Sequence, residues 1–187
     1  ERSVSKIDRA KGAEARPLRH IGVVGGGTMG AGIAAACLLS KLPVVMIERD
    51  AEAAEAGRDR VLGILDGSAK RGLLSPDGRQ AAEEALTTSA DYAALCDCDL
   101  IAEAVFEDMA VKCDVFADLD RVARPDAVLA SNTSYLDIDE IAAGTRDPSR
   151  VIGLHFFSPA HVMKLLELIV TRQAAPDVLA TGLALGK

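Results

Sequence analysis

The chain has 187 residues, 49% of them apolar and 3% aromatic, with no tryptophan and a formal net charge of −7. That length suffices for one domain with a real core, and the aliphatic, Ala-rich mix suits strands packed under helices. The acidic balance, with no basic stripe, excludes nucleic acid as an expected partner; no apolar run reaches the roughly 18 residues of a membrane helix, and nothing in the first residues reads as a secretory signal.

Residues 1–17 are charged and aperiodic and read as a linker or flexible lead-in, with the folded domain expected over 18–187. A strand at 20–24 (HIGVV) runs into Gly25-Gly-Gly-Thr-Met-Gly30, and an Ala-rich helical pattern follows to about Ser40. Pro43 punctuates, and 44–48 read as a second strand. A long helix is expected over 51–74, with Val61, Leu62 and Leu65 on its apolar face, then a shorter one from Ser75-Pro-Asp-Gly78. Further strands are expected at 100–105, 127–130, 151–154 and 165–171, with a helix over 108–122. Strands alternating with helices imply right-handed crossovers and an α/β fold: a doubly wound, mostly parallel sheet of Rossmann type with helices on both faces. Ligands of such sheets gather beyond the carboxyl ends of the strands. The glycine loop, Glu48, Glu107, Ser134 and His155 all fall there.

Four cysteines, Cys37, Cys96, Cys98 and Cys113, show neither disulfide-framework nor zinc spacing. They read as reduced thiols, and the expected setting is cytoplasmic or another reducing compartment, a peroxisome or mitochondrial matrix included. No metal constellation is apparent.

In Gly25-x-Gly27-x-x-Gly30, Gly25 permits a tight turn, Gly27 lets backbone approach a pyrophosphate and Gly30 allows close helix–strand packing. The amides of Thr28 and Met29 open a helix whose partial positive end favours phosphate. Glu48, at the end of the second strand, would accept bonds from both ribose hydroxyls and repel a 2′-phosphate, so NAD is expected over NADP. Arg49, one step on, is a residue that could serve a 2′-phosphate.

Near the other end, His155 and Glu167 bracket a Pro-containing turn. Glu167 sits in Leu165-Leu-Glu-Leu-Ile-Val170, where a carboxylate among aliphatic neighbours is costly unless paired. A histidine held by a carboxylate through one ring nitrogen is a general base fixed in its working tautomer. A core histidine beside a solvent-facing glutamate fits these residues equally well, and they alone do not decide.

Together the motifs Gly25 to Ile33, Glu103-Ala-Val-Phe-Glu-Asp108, Ser131-Asn-Thr-Ser134 and His155 to Glu167 resemble the NAD-binding domain of the L-3-hydroxyacyl-CoA dehydrogenases. The likeness spans about 18–187. It implies NAD-dependent oxidation of an L-3-hydroxyacyl-CoA to the 3-oxoacyl-CoA, as in fatty-acid β-oxidation. His155 would take the hydroxyl proton, Glu167 would orient the imidazole, and Ser134 would bond the reacting oxygen. Glu107, Lys112 and Ser158 would contact the cofactor or its surroundings. Ser158 stands where many single-function members have Asn. The run His-Phe-Phe-Ser-Pro-Ala-His161 is similar to the form in multifunctional enzymes that carry an enoyl-CoA hydratase domain. The resemblance also implies a helical domain beyond Lys187 that closes over the acyl chain, a homo-oligomeric or hydratase-fused parent, and weak activity for 18–187 alone. A dehydrogenase for another short hydroxy acid, or a module that senses NAD(H) without turnover, is the competing function. Lys70 and Arg71 are candidates for CoA phosphates or simply a solvated basic pair, and His161 reads as a loop residue.

Overall fold

The computed structural model describes residues 7–163 and 165–187. Its strands are β1 (Ile21–Val24), β2 (Val44–Ile47), β3 (Leu86–Ser89), β4 (Leu100–Glu103), β5 (Val128–Ser131), β6 (Val151–Phe156) and β7 (Leu166–Ile169). The helices are α1 (Thr28–Leu39), α2 (Ala51–Lys70), α3 (Pro76–Glu84), α4 (Met109–Val122), α5 (Ile138–Ala143) and α6 (Pro176–Leu185). Several starts are legible in side chains that cap exposed amides: Asp50 accepts from Ala53 N, Ser75 from Gly78 N and Asp108 from Val111 N. Helix α2 stops at Lys70, short of the expected 74, because the chain turns through Gly72 at φ 72°.

The strands form one sheet in the order β3-β2-β1-β4-β5-β6-β7. All neighbours are parallel except β6 and β7, which run antiparallel. The order reverses between β1 and β4, the switch point where ligands of doubly wound sheets settle. Alternate residues of one strand feed opposite faces. Val23, Met46, Ala102 and Leu154 pack under α1, α2 and α6, whereas Val24, Ile47, Ile101 and Leu129 pack under α4 and α5.

Two features depart from the expectation. Strand β3, Leu-Thr-Thr-Ser, was not anticipated, since only Leu86 in it is buried and no alternation marks it. Its threonines suit an edge strand, and β2 supplies the register. The lead-in is the larger correction. From Ile7 onward it is not a free linker but a strap along α6. Arg9 donates to the carbonyls of Thr171 and Ala174, the Arg16 Nε meets Asp177 at 2.8 Å, and the Arg16 amide bonds Thr181 Oγ1 at 2.8 Å. Ala10 joins the core beneath it. Charged residues that look like linker in sequence are here anchoring bonds to backbone; residues 1–6 lie outside the described part.

Among the described residues, no helix is long and apolar enough to cross a membrane. All four cysteines are free, and burial pushes the Cys37 and Cys98 thiols up to about 12.

Candidate active site

The turn from β1 into α1 is built by missing side chains. Gly25 has φ 97°, a left-handed conformation that L side chains rarely adopt, and a Cβ there would also press on the Ala104 carbonyl after β4. At Gly30 a Cβ would collide with the Gly25 carbonyl, so the helix closes onto the turn only with glycine. Gly27 differs. It caps α1, lies exposed with Thr28, and a Cβ added to it meets nothing within 4 Å. Free amides at a helix start, facing open space, are what a pyrophosphate needs.

Beside that opening lies a cleft of about 360 Å³ lined by Gly27, Glu48, Arg49, Asp50, Ala53 and Arg60, among others. Glu48 Oε1 accepts from Gly26 N at 2.7 Å, tying the end of β2 to the glycine turn, and Oε2 accepts from Arg49 N at 3.1 Å. The Arg49 guanidinium points away, to Asp50 at 3.0 Å, with its side chain 84% exposed. Arg60 donates to the Gly26 carbonyl at 3.1 Å from α2. A carboxylate poised over an exposed glycine turn, with no guanidinium turned toward it from Arg49, fits NAD.

Across the switch point, the end of β4 holds a network the sequence reading did not assign. Glu103 is fully buried. Its Oε1 accepts from Lys112 Nζ at 2.7 Å and Val105 N at 2.7 Å, and its Oε2 accepts from Ser131 Oγ at 2.7 Å. Lys112, also fully buried, reaches Glu107 Oε2 at 3.2 Å. Glu107 Oε1 in turn accepts from Thr133 Oγ1 at 2.6 Å and Ser134 N at 2.7 Å. Burial pushes the Glu107 carboxyl up, but the Thr133 hydroxyl, the Ser134 amide and the Lys112 charge outweigh it and hold the group below the usual carboxylate range. The sequence signal for Glu103 was a lone acid in the apolar run Leu100-Ile-Ala-Glu-Ala-Val105.

The dyad forms at the antiparallel edge. His155 and Glu167 are direct partners in the β6–β7 register, and His155 Nδ1 lies 2.8 Å from Glu167 Oε2. An ionised carboxylate only accepts, so Nδ1 carries a proton, and in the neutral imidazole Nε2 is the nitrogen with the free lone pair. Ser134 Oγ is 3.4 Å from that Nε2, long for a hydrogen bond. The Phe157 ring lies tilted by 47° to the imidazole, with ring centroids 4.6 Å apart. Asn132 Oδ1, accepting from Phe156 N at 2.8 Å, fastens the end of β5 to β6.

The cost argument for Glu167 does not hold. Its side chain is 55% exposed, against 19% for His155. Strand β7 is an edge strand whose residues alternate, Leu166 and Leu168 inward, Glu167 and Ile169 outward. Leu166 and Leu168, the immediate sequence neighbours of Glu167, therefore face away from it.

Glu48, Glu107, Ser134 and His155 thus line the carboxyl-end rim of the sheet with Gly25, Gly27, Thr28, Met29 and Gly30. Lys112 lies beneath that rim. Ser158 is exposed on the turn after β6, where the Ser158–Pro159 peptide is cis, and no hydrogen bond joins it to the others among the described residues. That turn folds back on α1, with Ala160 packed against Gly32. Among the described residues no group of acids, histidines or cysteines could hold a metal.

Residues 20–187 match the family described as 3-hydroxyacyl-CoA dehydrogenase, NAD binding domain. The chain is 43% identical over 192 residues to the peroxisomal bifunctional enzyme of Cavia porcellus, covering 100% of this chain and 26% of that protein. It is 36% identical over 189 residues to the peroxisomal fatty acid beta-oxidation multifunctional protein of Oryza sativa, covering 100% and 26%. Among solved structures, (S)-3-hydroxybutyryl-CoA dehydrogenase from Ralstonia eutropha superposes with a TM-score of 0.88 at 35% identity, over 91% of this chain and 60% of that one. The chain spans about a quarter of the length of these two curated relatives.

Proposed function

The chain belongs to the NAD-binding domain family of the 3-hydroxyacyl-CoA dehydrogenases, and from that premise we propose that it is the cofactor-holding, base-bearing part of an enzyme that oxidises L-3-hydroxyacyl-CoA to 3-oxoacyl-CoA. The observation that carries the reading is the His155–Glu167 cross-strand pair, 2.8 Å apart, opening toward Ser134 on the same rim as the glycine turn.

Bound NAD supplies an acceptor for the hydride that leaves C3. The residues do the rest. The exposed amides at Gly27 and Thr28 hold the pyrophosphate, and Glu48 takes the ribose hydroxyls. His155 Nε2 removes the 3-hydroxyl proton as the C3 hydride departs, so the alcohol oxygen never carries a full charge. Glu167 accepts from Nδ1–H, fixing the tautomer and stabilising the imidazolium that forms. Ser134 Oγ donates to the reacting oxygen and keeps it next to Nε2. In the reverse direction His155 returns the proton to the carbonyl oxygen. Glu107, kept ionised by its partners, and Ser158 would contact the cofactor or its surroundings. Lys112 acts from below by fixing Glu107.

The partners are an acyl-CoA substrate and, in a longer parent chain, an enoyl-CoA hydratase domain and a substrate-closing domain. The peroxisomal names of the relatives favour a peroxisome over the cytoplasm as the compartment.

The test uses the natural full-length protein. It should oxidise NADH in the presence of acetoacetyl-CoA, and His155→Ala should lower kcat by about 10²–10⁴-fold. Turnover of free 3-oxo acids without acyl-CoA activity would replace this reading with another hydroxy-acid dehydrogenase. NADH binding with no ketone reduced would replace it with a sensing module.

A further inference from the structure

Three polar groups at the carboxyl end of β4 are satisfied by one side chain that touches no open space. Glu103 gathers Lys112 Nζ, Val105 N and Ser131 Oγ, all at 2.7 Å, from the strand end, helix α4 and strand β5. Both charged members of the pair are fully buried. Such a pair is a weak device for stability, because apolar residues of the same volume usually do as well or better. What it does fix is geometry, since every bond has a direction and none has water as an alternative partner.

The bonds continue in one line. Lys112 Nζ, anchored by Glu103, sits 3.2 Å from Glu107 Oε2. The other oxygen of Glu107 holds the Thr133 hydroxyl at 2.6 Å and the Ser134 amide at 2.7 Å. Thr133 Oγ1 then accepts from Leu136 N at 3.0 Å, closing the turn on which Ser134 stands. Beyond the last bond, Ser134 Oγ faces His155 Nε2 at 3.4 Å.

We infer that Glu103 is a positioning residue: through Lys112 and Glu107 it fixes the Thr133–Ser134 turn and so the place of the Ser134 hydroxyl against His155. The inference rests on the dehydrogenase reading for its catalytic consequence but not for its structural one. Without the Glu103 charge, Lys112 has Glu107 as its sole anionic partner. The Lys112–Glu107 pair then draws together, and Glu107 lets go of Thr133 and the Ser134 amide.

The experiment is hydrogen exchange of the full-length protein without cofactor, read peptide by peptide by mass spectrometry, for wild type and Glu103→Gln. Exchange should rise in the segment 104–108, which carries the Val105 amide, and also roughly tenfold in 133–136, which Glu103 reaches only through Lys112 and Glu107. In the same variant kcat/KM should fall about 10²-fold, the cost of a misplaced catalytic group. Should Glu103→Gln not fold, the neutral pair Glu103→Gln with Lys112→Gln removes the buried charges and with them the Lys112 hold on Glu107 Oε2, and should loosen 133–136 through that loss. Unchanged exchange in 133–136, in whichever variant folds, would overturn the inference whatever the activity. A wild-type protein inactive on acyl-CoA, with 133–136 loosened in the variant as expected, would overturn the proposed function and leave this one standing.

Discussion

The glycine turn and the β6–β7 edge sit on one rim of the sheet and are built on opposite plans. At the turn the working surface is backbone, shaped by what Gly25, Gly27 and Gly30 lack, and Gly25 and Gly30 are buried. At the edge the working surface is side chain: a half-exposed glutamate, an imidazole and a serine on three separate elements. The turn takes its shape from its own backbone and is tied down by Glu48 and Arg60, 22 and 34 residues away. The edge depends on partners 12 and 21 residues apart. It also leaves Leu165, Ile169 and Val170 exposed alongside Glu167. On the proposed reading, binding is therefore fixed mainly by packing at glycine, and chemistry by a few polar contacts between side chains on a more open surface.

That contrast breaks first at Gly30. A Cβ there meets the Gly25 carbonyl with nowhere to go, so Gly30→Ala should lower stability by about 1–3 kcal/mol and abolish measurable NADH binding, checked by denaturant unfolding and fluorescence titration. Gly27→Ala should separate the two effects. Its Cβ meets no protein atom within 4 Å, so stability should stay within about 1 kcal/mol. NADH affinity should fall about tenfold, because the methyl occupies the approach to the helix amides. If both variants behaved alike, the distinction between packing glycine and approach glycine would be wrong.

The smallest effect concerns His161, on the turn between the two regions. Its Nδ1 is buried without a hydrogen-bond partner among the described residues. Burial, and then the nearby Arg71 charge, hold its pKa below the ordinary 6.5. The folded state thus binds this proton less readily than the unfolded chain. Its stability is whole above 6.5 and declines as pH falls below that value. His161→Gln should flatten the stability profile on that acid side, measured by thermal unfolding across pH. An unchanged slope would show that the imidazole is not what titrates there.

The turn was legible in the sequence because its logic is local: three glycines at fixed spacing, a strand before, a helix after and an acid at the next strand end. The edge was legible only in part. His155, Glu167 and Ser134 were named through the family resemblance, but the residues alone could not choose between a dyad and an idle pair. The reason is that pairing across β6 and β7 is a fact of register. Alternation on an edge strand also removed the cost expected for Glu167, since it faces outward while Leu166 and Leu168 face in. Glu103 escaped assignment because its partners come from β5 and α4, and no spacing announces them. Strand β3 and the strap at Arg9 and Arg16 escaped for a like reason: both are held by tertiary contacts where local propensity is silent.

The most direct test of the division between binding and chemistry is Glu167→Gln in the natural full-length protein, with NADH titration and steady-state turnover on acetoacetyl-CoA measured on one preparation. The carboxylate orients His155 and lies off the glycine turn, so NADH affinity should stay within about twofold while kcat falls about 10²-fold. Turnover at the wild-type rate would mean that the cross-strand pair does not orient the base, and the account of this edge as the catalytic half would be wrong.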